Sequence, residues 1–280
     1  MSQPTPALAA WVWDEPVPGE LAAWAQVGGV LDLFVATPVR WAGTRRLSWV
    51  RDVRARLGDR VGLHALGGDP CWLDEPGEAR TWLQTAQAAA VFDGVHLDLE
   101  PWGHPRWDDD REDVVRRYLM VLEELVTTSV LPVEVDVSFW LHEVQVPPGG
   151  EPRLPNRGRL LDAVLDLVPA VTVLAYRRVV TGPDSITELA RPTVVASRER
   201  GRGCRLGLET RDVRPDPAAD KQTFFGRPRA ELDAAMGEVE ALLGGWPGWA
   251  GLAVHDRAGW VALPADRPGR ISLPVERSPE

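Results

Sequence analysis

The sequence has few cysteines and no long apolar run. Its 280 residues contain two cysteines, Cys71 and Cys204, whose spacing is not that of a metal site. Two isolated cysteines are typical of reduced intracellular thiols at least as much as of a disulfide. No run approaches the roughly 18 apolar residues of a membrane span, and residues 1–10 lack the cationic and apolar regions of a signal peptide. We therefore expect a cytoplasmic protein with no membrane partner.

The sequence also lacks basic patches and two common cofactor motifs. The net charge is −10, and Lys221 is the only lysine. Nucleic acids bind basic surfaces, so this balance argues against a nucleic-acid partner. No Gly-x-Gly-x-x-Gly follows the first apolar run, and no His-Glu-x-x-His is present. The sequence therefore predicts no cofactor and no metal site, and it leaves the oligomeric state open.

Apolar runs of strand length recur through the chain and alternate with helical or polar stretches. The eight candidate strands are Ala10–Trp13, Leu31–Ala36, Val61–Leu66, Gly94–Leu99, Val133–Phe139, Ala170–Ala175, Arg205–Glu209 and Gly251–His255. The stretches between them, most of which we interpret as helices, are Glu20–Val27, Leu47–Leu57, Ala79–Ala90, Asp113–Thr128, Arg157–Leu167, Ser185–Arg200 and Pro228–Leu243. Pro192 interrupts the sixth of these. This alternation predicts a parallel sheet with helical crossovers.

Eight strands with intervening helices favour an α/β fold of the closed (β/α)8 barrel (TIM barrel) type over an open sheet. Such barrels often run to about 250 residues as one unit, so we interpret residues 1–280 as a single domain. The segment Pro147–Pro155 is predicted to be a loop after the fifth strand. From about Pro264 the tail is rich in Pro and Arg and is predicted to be loosely ordered.

The fourth candidate strand ends in three ionisable groups of one parity. Side chains alternate along a strand, so His96, Asp98 and Glu100 are expected to point into the barrel. Two carboxylates on one face repel each other, which raises at least one pKa and suits a general acid near neutral pH. The alternative is a buried polar network that closes the barrel. Glu100 stands at the strand end, where barrels carry their chemistry.

Residues 93–100 resemble the Asp-Gly-x-Asp-x-Asp-x-Glu signature of family 18 glycoside hydrolases, which are chitinase-like barrels. The departure is His96, which stands where that family has an Asp. At the sixth strand, Leu-Ala-Tyr176 is similar to the family's Met-x-Tyr. The resemblance implies that Glu100 protonates the glycosidic oxygen, that Asp98 orients the substrate's N-acetyl group, and that Tyr176 helps to hold it. The segment from His96 onward most resembles the His-Leu-Asp-x-Glu-Pro of a looser group of bacterial glycosidase-like barrels.

Strand seven offers a second carboxylate, Glu209. Carboxylates at the ends of strands four and seven resemble those of a large clan of retaining glycosidases, in which Glu100 would be the acid/base and Glu209 the nucleophile. A carboxylate separation of about 5–5.5 Å indicates retention, and one of about 6.5–9.5 Å indicates inversion. The alternative for Glu209 is a strand-end carboxylate paired with Arg205 or Arg211.

Other strand ends supply candidates for substrate binding. Asp136 lies on an inward polar row of strand five, and strand eight ends in His255 and Asp256. Thirteen tryptophans are open to two interpretations, core packing or stacking on sugar rings. The candidates for stacking are Trp13, Trp102, Trp107 and Trp140. A competing use of His96, Asp98, Glu100, Glu209 and His255 is ligation of a divalent ion.

The sequence thus predicts a glycoside hydrolase that acts on a soluble glycan or small glycoside. Two alternatives stay open. The first is a carbohydrate-binding barrel without catalysis, which the altered signature at His96 favours. The second is a metal-assisted hydrolase or lyase on the same scaffold, because a barrel fold does not fix its chemistry.

Overall fold

The computed structural model describes residues 7–41, 43–148 and 158–265. Eight parallel strands pair in chain order, and the last pairs with the first, so the sheet closes into a barrel. The strands are β1 (Leu8–Val12), β2 (Val30–Ala36), β3 (Gly62–Gly67), β4 (Gly94–Leu97), β5 (Val133–Ser138), β6 (Ala170–Leu174), β7 (Gly203–Glu209) and β8 (Trp249–His255). The predicted (β/α)8 fold is confirmed, and each predicted strand overlaps an observed one.

Helices follow the strands and cover the outside of the barrel. They are α1 (Pro18–Val27), α2 (Arg45–Leu57), α3 (Pro76–Ala89), α4 (Arg111–Thr128), α5 (Leu160–Leu167), α6 (Ile186–Glu199), α7 (Ala219–Gln222), α8 (Arg229–Leu243) and α9 (Arg257–Ala262). Pro192 lies inside α6, whose apolar face is nevertheless buried. Short 3-10 turns follow β3, β4 and β5, at Pro70–Leu73, Pro101–Gly103 and Leu141–Glu143. Within the described ranges, no helix is long and apolar enough to cross a membrane.

The main apolar core lies between the strands and the helices, where both present apolar side chains. A smaller cluster fills the middle of the barrel lumen and consists of Ala9, Trp11, Phe34, Leu66 and Ala253. This plug separates two polar layers of the lumen. One layer lies towards the amino ends of the strands, and the other lies at their carboxyl ends, which we call the mouth.

Charged groups close the lumen below the apolar plug. The Arg205 guanidinium donates to Asp32 at 3.0 Å and to Glu134 at 3.3 Å, and the His64 ring lies 3.2 Å from Asp32. Burial is the largest influence on the pKa of Glu134 and raises it, but the charge of Arg205, with smaller contributions from His96, Thr172 and His64, brings that pKa below its usual value. This network links β2, β3, β5 and β7 at the end of the lumen opposite the mouth. The charged groups at the mouth are separate from it and are the candidates for chemistry.

Two predictions concern segments that the structure covers only in part. The predicted loop Pro147–Pro155 lies outside the described residues from position 149 onward, and so does the predicted tail from position 266 onward. Both therefore stay predictions.

Candidate active site

The three ionisable groups of strand four take the inward parity expected from the sequence. His96 is fully buried in the lumen, where its ring stacks on Phe34 with centroids 3.7 Å apart. The intervening Leu97 and Leu99 pack in the core outside the barrel. Burial lowers the pKa of His96 to about 4, so the ring is neutral at physiological pH. His96 therefore belongs to the interior of the barrel, and the groups beyond it reach the mouth.

Asp136 of β5 joins His96 to Asp98. Its Oδ1 lies 2.9 Å from His96 Nε2, and its Oδ2 accepts the Trp11 indole N–H at 3.3 Å. Asp98 and Asp136 are hydrogen bonded to each other through their side chains. Burial raises the pKa of both carboxyl groups, and the proximity of Asp98 adds to the increase at Asp136. Two carboxyl groups bonded in this way share a proton, so the pair carries about one negative charge.

Glu100 stands just beyond β4 at the mouth and is partly buried. Burial, and after it the charges of the neighbouring Asp98 and Asp136, together raise its pKa to about 8. The Trp102 side chain is hydrogen bonded to the Glu100 carboxyl group. Glu100 therefore keeps a proton at neutral pH, which is what a general acid requires. We call Asp98, Glu100 and Asp136 the acid cluster.

Glu209 lies at the end of β7 and is only 3% exposed. Its Oε1 accepts the backbone N–H groups of Thr210 at 2.8 Å and Arg211 at 2.7 Å. Its Oε2 lies 2.8 Å from His255 Nδ1. The structure thus gives Glu209 two amides and a histidine as partners, in place of the pairing with Arg205 or Arg211 considered above. Both oxygens of Glu209 are therefore engaged by groups of the protein itself.

His255, at the end of β8, connects Glu209 to an aromatic group at the mouth. The Trp13 indole N–H donates to His255 Nε2 at 2.9 Å. The Tyr176 ring stacks on the His255 ring, with centroids 6.1 Å apart and planes 22° apart. Burial lowers the pKa of His255, but the hydrogen bond and charge of Glu209, together with the charges of Asp98 and Asp256, raise it above its usual value. The charge of His255 also lowers the pKa of Asp98, so this group and the acid cluster share one mouth.

Two further candidates from the sequence are Asp256, which has a structural contact, and Tyr176, whose pKa is shifted by burial. Asp256 is buried and accepts the backbone N–H of Gly259 at 2.8 Å, which caps the amino end of α9. Burial also raises the pKa of Tyr176 well above its usual value, so its hydroxyl stays protonated and able to donate.

The tryptophan candidates after β4 and β5 form one aromatic row. Trp102 lies 5.3 Å from Trp140, and Trp140 lies 6.1 Å from Trp107, between ring centroids. Trp107 and Trp140 wall a cavity of about 560 Å³, and the Arg111 guanidinium lies 4.9 Å above the Trp107 ring. Because Trp102 bonds Glu100, the row leads from this cavity to the acid cluster.

Sequence reasoning missed Trp11 and the pairing of Asp136 with Asp98. Trp11 bonds Asp136 and lies edge-on to both His96 and His255. Trp11 and Trp13 are two positions apart and therefore share a parity, so alternation along the strand could have identified Trp11 as a candidate as well. As to metal ligation, the described part of the chain holds no group of three or more His, Cys, Asp or Glu side chains arranged to bind an ion.

Comparison with known proteins finds barrels of similar fold. No protein-family model matches the chain, and no curated protein matches it in sequence. Among solved structures, the spore cortex-lytic enzyme SleL of Bacillus cereus has a TM-score of 0.54 at 9% identity, over 95% of this chain and 73% of that one. A GH18 chitinase from Pseudoalteromonas aurantia has a TM-score of 0.53 at 11% identity, over 91% of this chain and 97% of that one.

A solved structure that is named for a different reaction resembles this chain to nearly the same degree. The mandelate racemase/muconate lactonizing protein of Herpetosiphon aurantiacus has a TM-score of 0.51 at 11% identity, over 94% of this chain and 56% of that one. At these identities the likeness concerns the fold, and one fold hosts many reactions. The comparisons therefore show the fold alone: the chain is a TIM barrel similar to those of the chitinase and of SleL.

Proposed function

We propose that the protein is a glycoside hydrolase in which Glu100 is the general acid. The observation that carries the proposal is the position of Glu100, partly buried just beyond β4 at the mouth of the barrel, where burial and the charges of Asp98 and Asp136 raise its pKa to about 8. A general acid works best when its pKa lies near the working pH. Glycosidic cleavage needs such an acid beside the leaving oxygen and a second carboxylate nearby.

We assign the second carboxylate role to Asp98, with Asp136 as its partner. The strand-four resemblance implies that Asp98 orients a 2-acetamido group, whose carbonyl oxygen attacks the anomeric carbon while Glu100 protonates the leaving oxygen. His96 replaces the family's Asp, but Asp136 of the next strand supplies a carboxyl group that is bonded to Asp98. The cluster therefore retains a paired carboxyl group despite the altered signature.

Glu209 fits the nucleophile role less well. Its oxygens already accept three N–H groups, and a carboxylate stabilised in this way is a weaker nucleophile. The proposed substrate is a soluble glycan that carries a 2-acetamido sugar at the cleaved bond.

A pair of chromogenic glycosides tests the proposal. The wild-type protein should hydrolyse the 2-acetamido-2-deoxy glucoside and leave the glucoside intact. Glu100→Gln should lower kcat by about 10²–10⁴-fold, which is the usual contribution of a general acid. Glu209→Gln should lose far less turnover than Glu100→Gln, and azide should not rescue Glu209→Gly. Full activity in Glu100→Gln, or azide rescue of Glu209→Gly, would contradict the assignment.

A carbohydrate-binding barrel without catalysis is the second candidate, and the substitution of His at position 96 favours it. Calorimetry with 2-acetamido oligosaccharides separates the two, since binding without any turnover supports this candidate. The cytoplasmic location expected from the sequence stays a prediction that cell fractionation tests.

A further inference from the structure

In its neutral form, the His255 side chain is fixed in one tautomer by its two hydrogen bonds. Glu209 can only accept when ionised, so the proton on the His255 ring lies on Nδ1, 2.8 Å from Glu209 Oε2. The Trp13 indole nitrogen can only donate, so His255 Nε2 carries a lone pair that accepts it at 2.9 Å. Glu209 is itself locked by the amides of Thr210 and Arg211. The direction of the Nε2 lone pair is therefore set by residues at the carboxyl ends of β1, β7 and β8.

The two partners of the Trp13–His255 hydrogen bond depend on it unequally. Trp13 is 38% exposed, so its N–H can exchange His255 for water at little cost. The His255 side chain is only 16% exposed, and a buried acceptor without a donor is costly. Trp13 is thus a replaceable donor, whereas His255 Nε2 requires one.

The surroundings of His255 Nε2 have the character of a sugar site. Tyr176 stacks on one side of the ring, and Trp11 lies edge-on at 5.4 Å. Aromatic walls with one fixed polar group are the usual composition of a small-ligand site. The electrostatic influence of His255 on Asp98 places this acceptor at the same mouth as the acid cluster.

We propose that His255 Nε2 is the acceptor for a substrate hydroxyl, and that Trp13 holds its place until substrate binds. A sugar O–H replaces the indole N–H, no proton is transferred, and Glu209 is a positioning residue that keeps Nδ1 protonated. The identity of the ligand rests on the proposed function; the exchange of donors does not. The site accepts a sugar that has a hydroxyl at this position, whereas a deoxy sugar that lacks it leaves His255 Nε2 without a donor.

NMR of the Glu100→Gln protein with N,N′-diacetylchitobiose as probe tests the exchange directly. In the free protein, at a pH above the pKa of His255, the ¹⁵N shifts of His255 should report the Nδ1–H tautomer, and the Trp13 indole proton should exchange with water more slowly than an indole proton without a hydrogen bond. When the probe saturates, the indole proton should exchange at least about tenfold faster, while His255 keeps its tautomer. An unchanged indole signal, with the probe bound or failing to bind, overturns the proposal. Turnover of the chromogenic 2-acetamido glycoside by the wild type judges the proposed function separately.

Substitutions of His255 provide a second test with a matched control. His255→Leu, which removes the acceptor, should weaken probe binding by about tenfold, and His255→Gln, which retains one, should restore most of the affinity. His64→Gln is the control: His64 also pairs with a carboxylate, Asp32, and its side chain is 17% exposed, but it lies in the lower layer. Equal losses in His64→Gln and His255→Leu would assign His255 a merely structural role.

The pH dependence of binding distinguishes an acceptor from a packing residue. Protonation of Nε2 destroys the acceptor, so affinity should fall as the pH drops through the pKa of His255, which Glu209, Asp98 and Asp256 keep above its usual value against burial. The fall should be absent in His255→Gln. A pH profile shared by the two proteins overturns the proposal.

Discussion

Glu100 binds its proton more tightly in the folded protein than in the unfolded chain. An unfolded Glu ionises near its ordinary pKa of 4.5, whereas burial first, and then the charges of Asp98 and Asp136, raise the pKa of the folded residue to about 8. A raised pKa in the folded state means that stability is fully present below pH 4.5. It is lost as the pH rises through about 8, because the folded state must then bury a charge.

Replacing Glu100 by Gln should therefore stabilise the protein while abolishing its proposed chemistry. At pH 8 the gain in the free energy of unfolding should be on the order of 4 kcal/mol, since Gln has the same shape and never ionises. At pH 4 wild type and variant should unfold at the same urea concentration. Urea denaturation at the two pH values measures the difference, and a variant that is no more stable at pH 8 would show that Glu100 ionises freely.

Asp98 should set the upper pH limit of activity through its effect on Glu100. After burial, Asp98 is the strongest cause of the raised Glu100 pKa. In Asp98→Asn the remaining Asp136 carboxylate is held by His96 and Trp11 and influences Glu100 less. The alkaline limb of kcat/KM should therefore move to lower pH, by about one unit, along with a lower maximal rate. An unmoved limb would mean that another group loses its proton there.

At the scale of elements, the strands are held across the lumen by one buried guanidinium. Arg205 of β7 pairs with Asp32 of β2 and Glu134 of β5 and is almost fully buried. Removing it leaves the buried Glu134 carboxylate, and the partly buried Asp32, without their guanidinium partner. Arg205→Ala should therefore cost about 3–5 kcal/mol of unfolding free energy, the usual penalty for breaking a buried pair.

A surface ion pair provides the control for Arg205. Arg80 of α3 pairs with Glu124 of α4 at 3.0 Å, and both side chains are substantially exposed. Arg80→Ala should cost about 0–1 kcal/mol, because solvent screens such pairs. Urea denaturation of the two variants measures how much unfolding free energy each one loses. Equal losses would show that the lower layer contributes no more to stability than a surface contact.

The elements themselves were largely predictable, because apolar runs and their alternation with helices follow from burial alone. The parity of strand four also followed from the sequence, since alternation is local. The short helices α7 and α9 were not predicted, as four and six residues show too little periodicity.

Contacts between strands were beyond the reach of the sequence. Trp13 and His255 are 242 positions apart, and they meet because β8 closes on β1. The partners of Glu209 include two backbone N–H groups, which every non-proline residue carries and which leave no mark in the sequence. The pairing of Asp136 with Asp98 depends on the register of β5 against β4. The identities of the acidic groups were therefore predictable, and their roles were not.

At the scale of the whole molecule, two cavities of about 560 Å³ lie in very different positions. One is lined by residues of α6 and by Trp246, just beyond α8, on the outside of the barrel. The other is walled by Trp107 and Trp140 and connects through Trp102 to Glu100. Of these two cavities, the second is the one placed to hold sugar units beyond the cleaved bond.

Chain length should therefore affect binding through the second cavity. In the Glu100→Gln background, the five-unit 2-acetamido oligosaccharide should bind more tightly than the two-unit one. Trp140→Ala should remove that advantage, a loss of up to about tenfold, since an aromatic contact contributes about 0.5–1.5 kcal/mol. Trp246→Ala removes an indole of the other cavity and should keep the advantage.

Calorimetry with the two oligosaccharides measures the ratio of affinities in each protein. Because Trp140 packs against the apolar core, a filling variant, Gln145→Trp, provides a check that does not hollow out the interior. Gln145 is exposed and lines the cavity, so the larger side chain should occupy the space of the distal sugars and also abolish the advantage. A ratio that survives in both variants would place the additional sugar units elsewhere on the mouth, and a ratio lost in Trp246→Ala would assign them to the outer cavity.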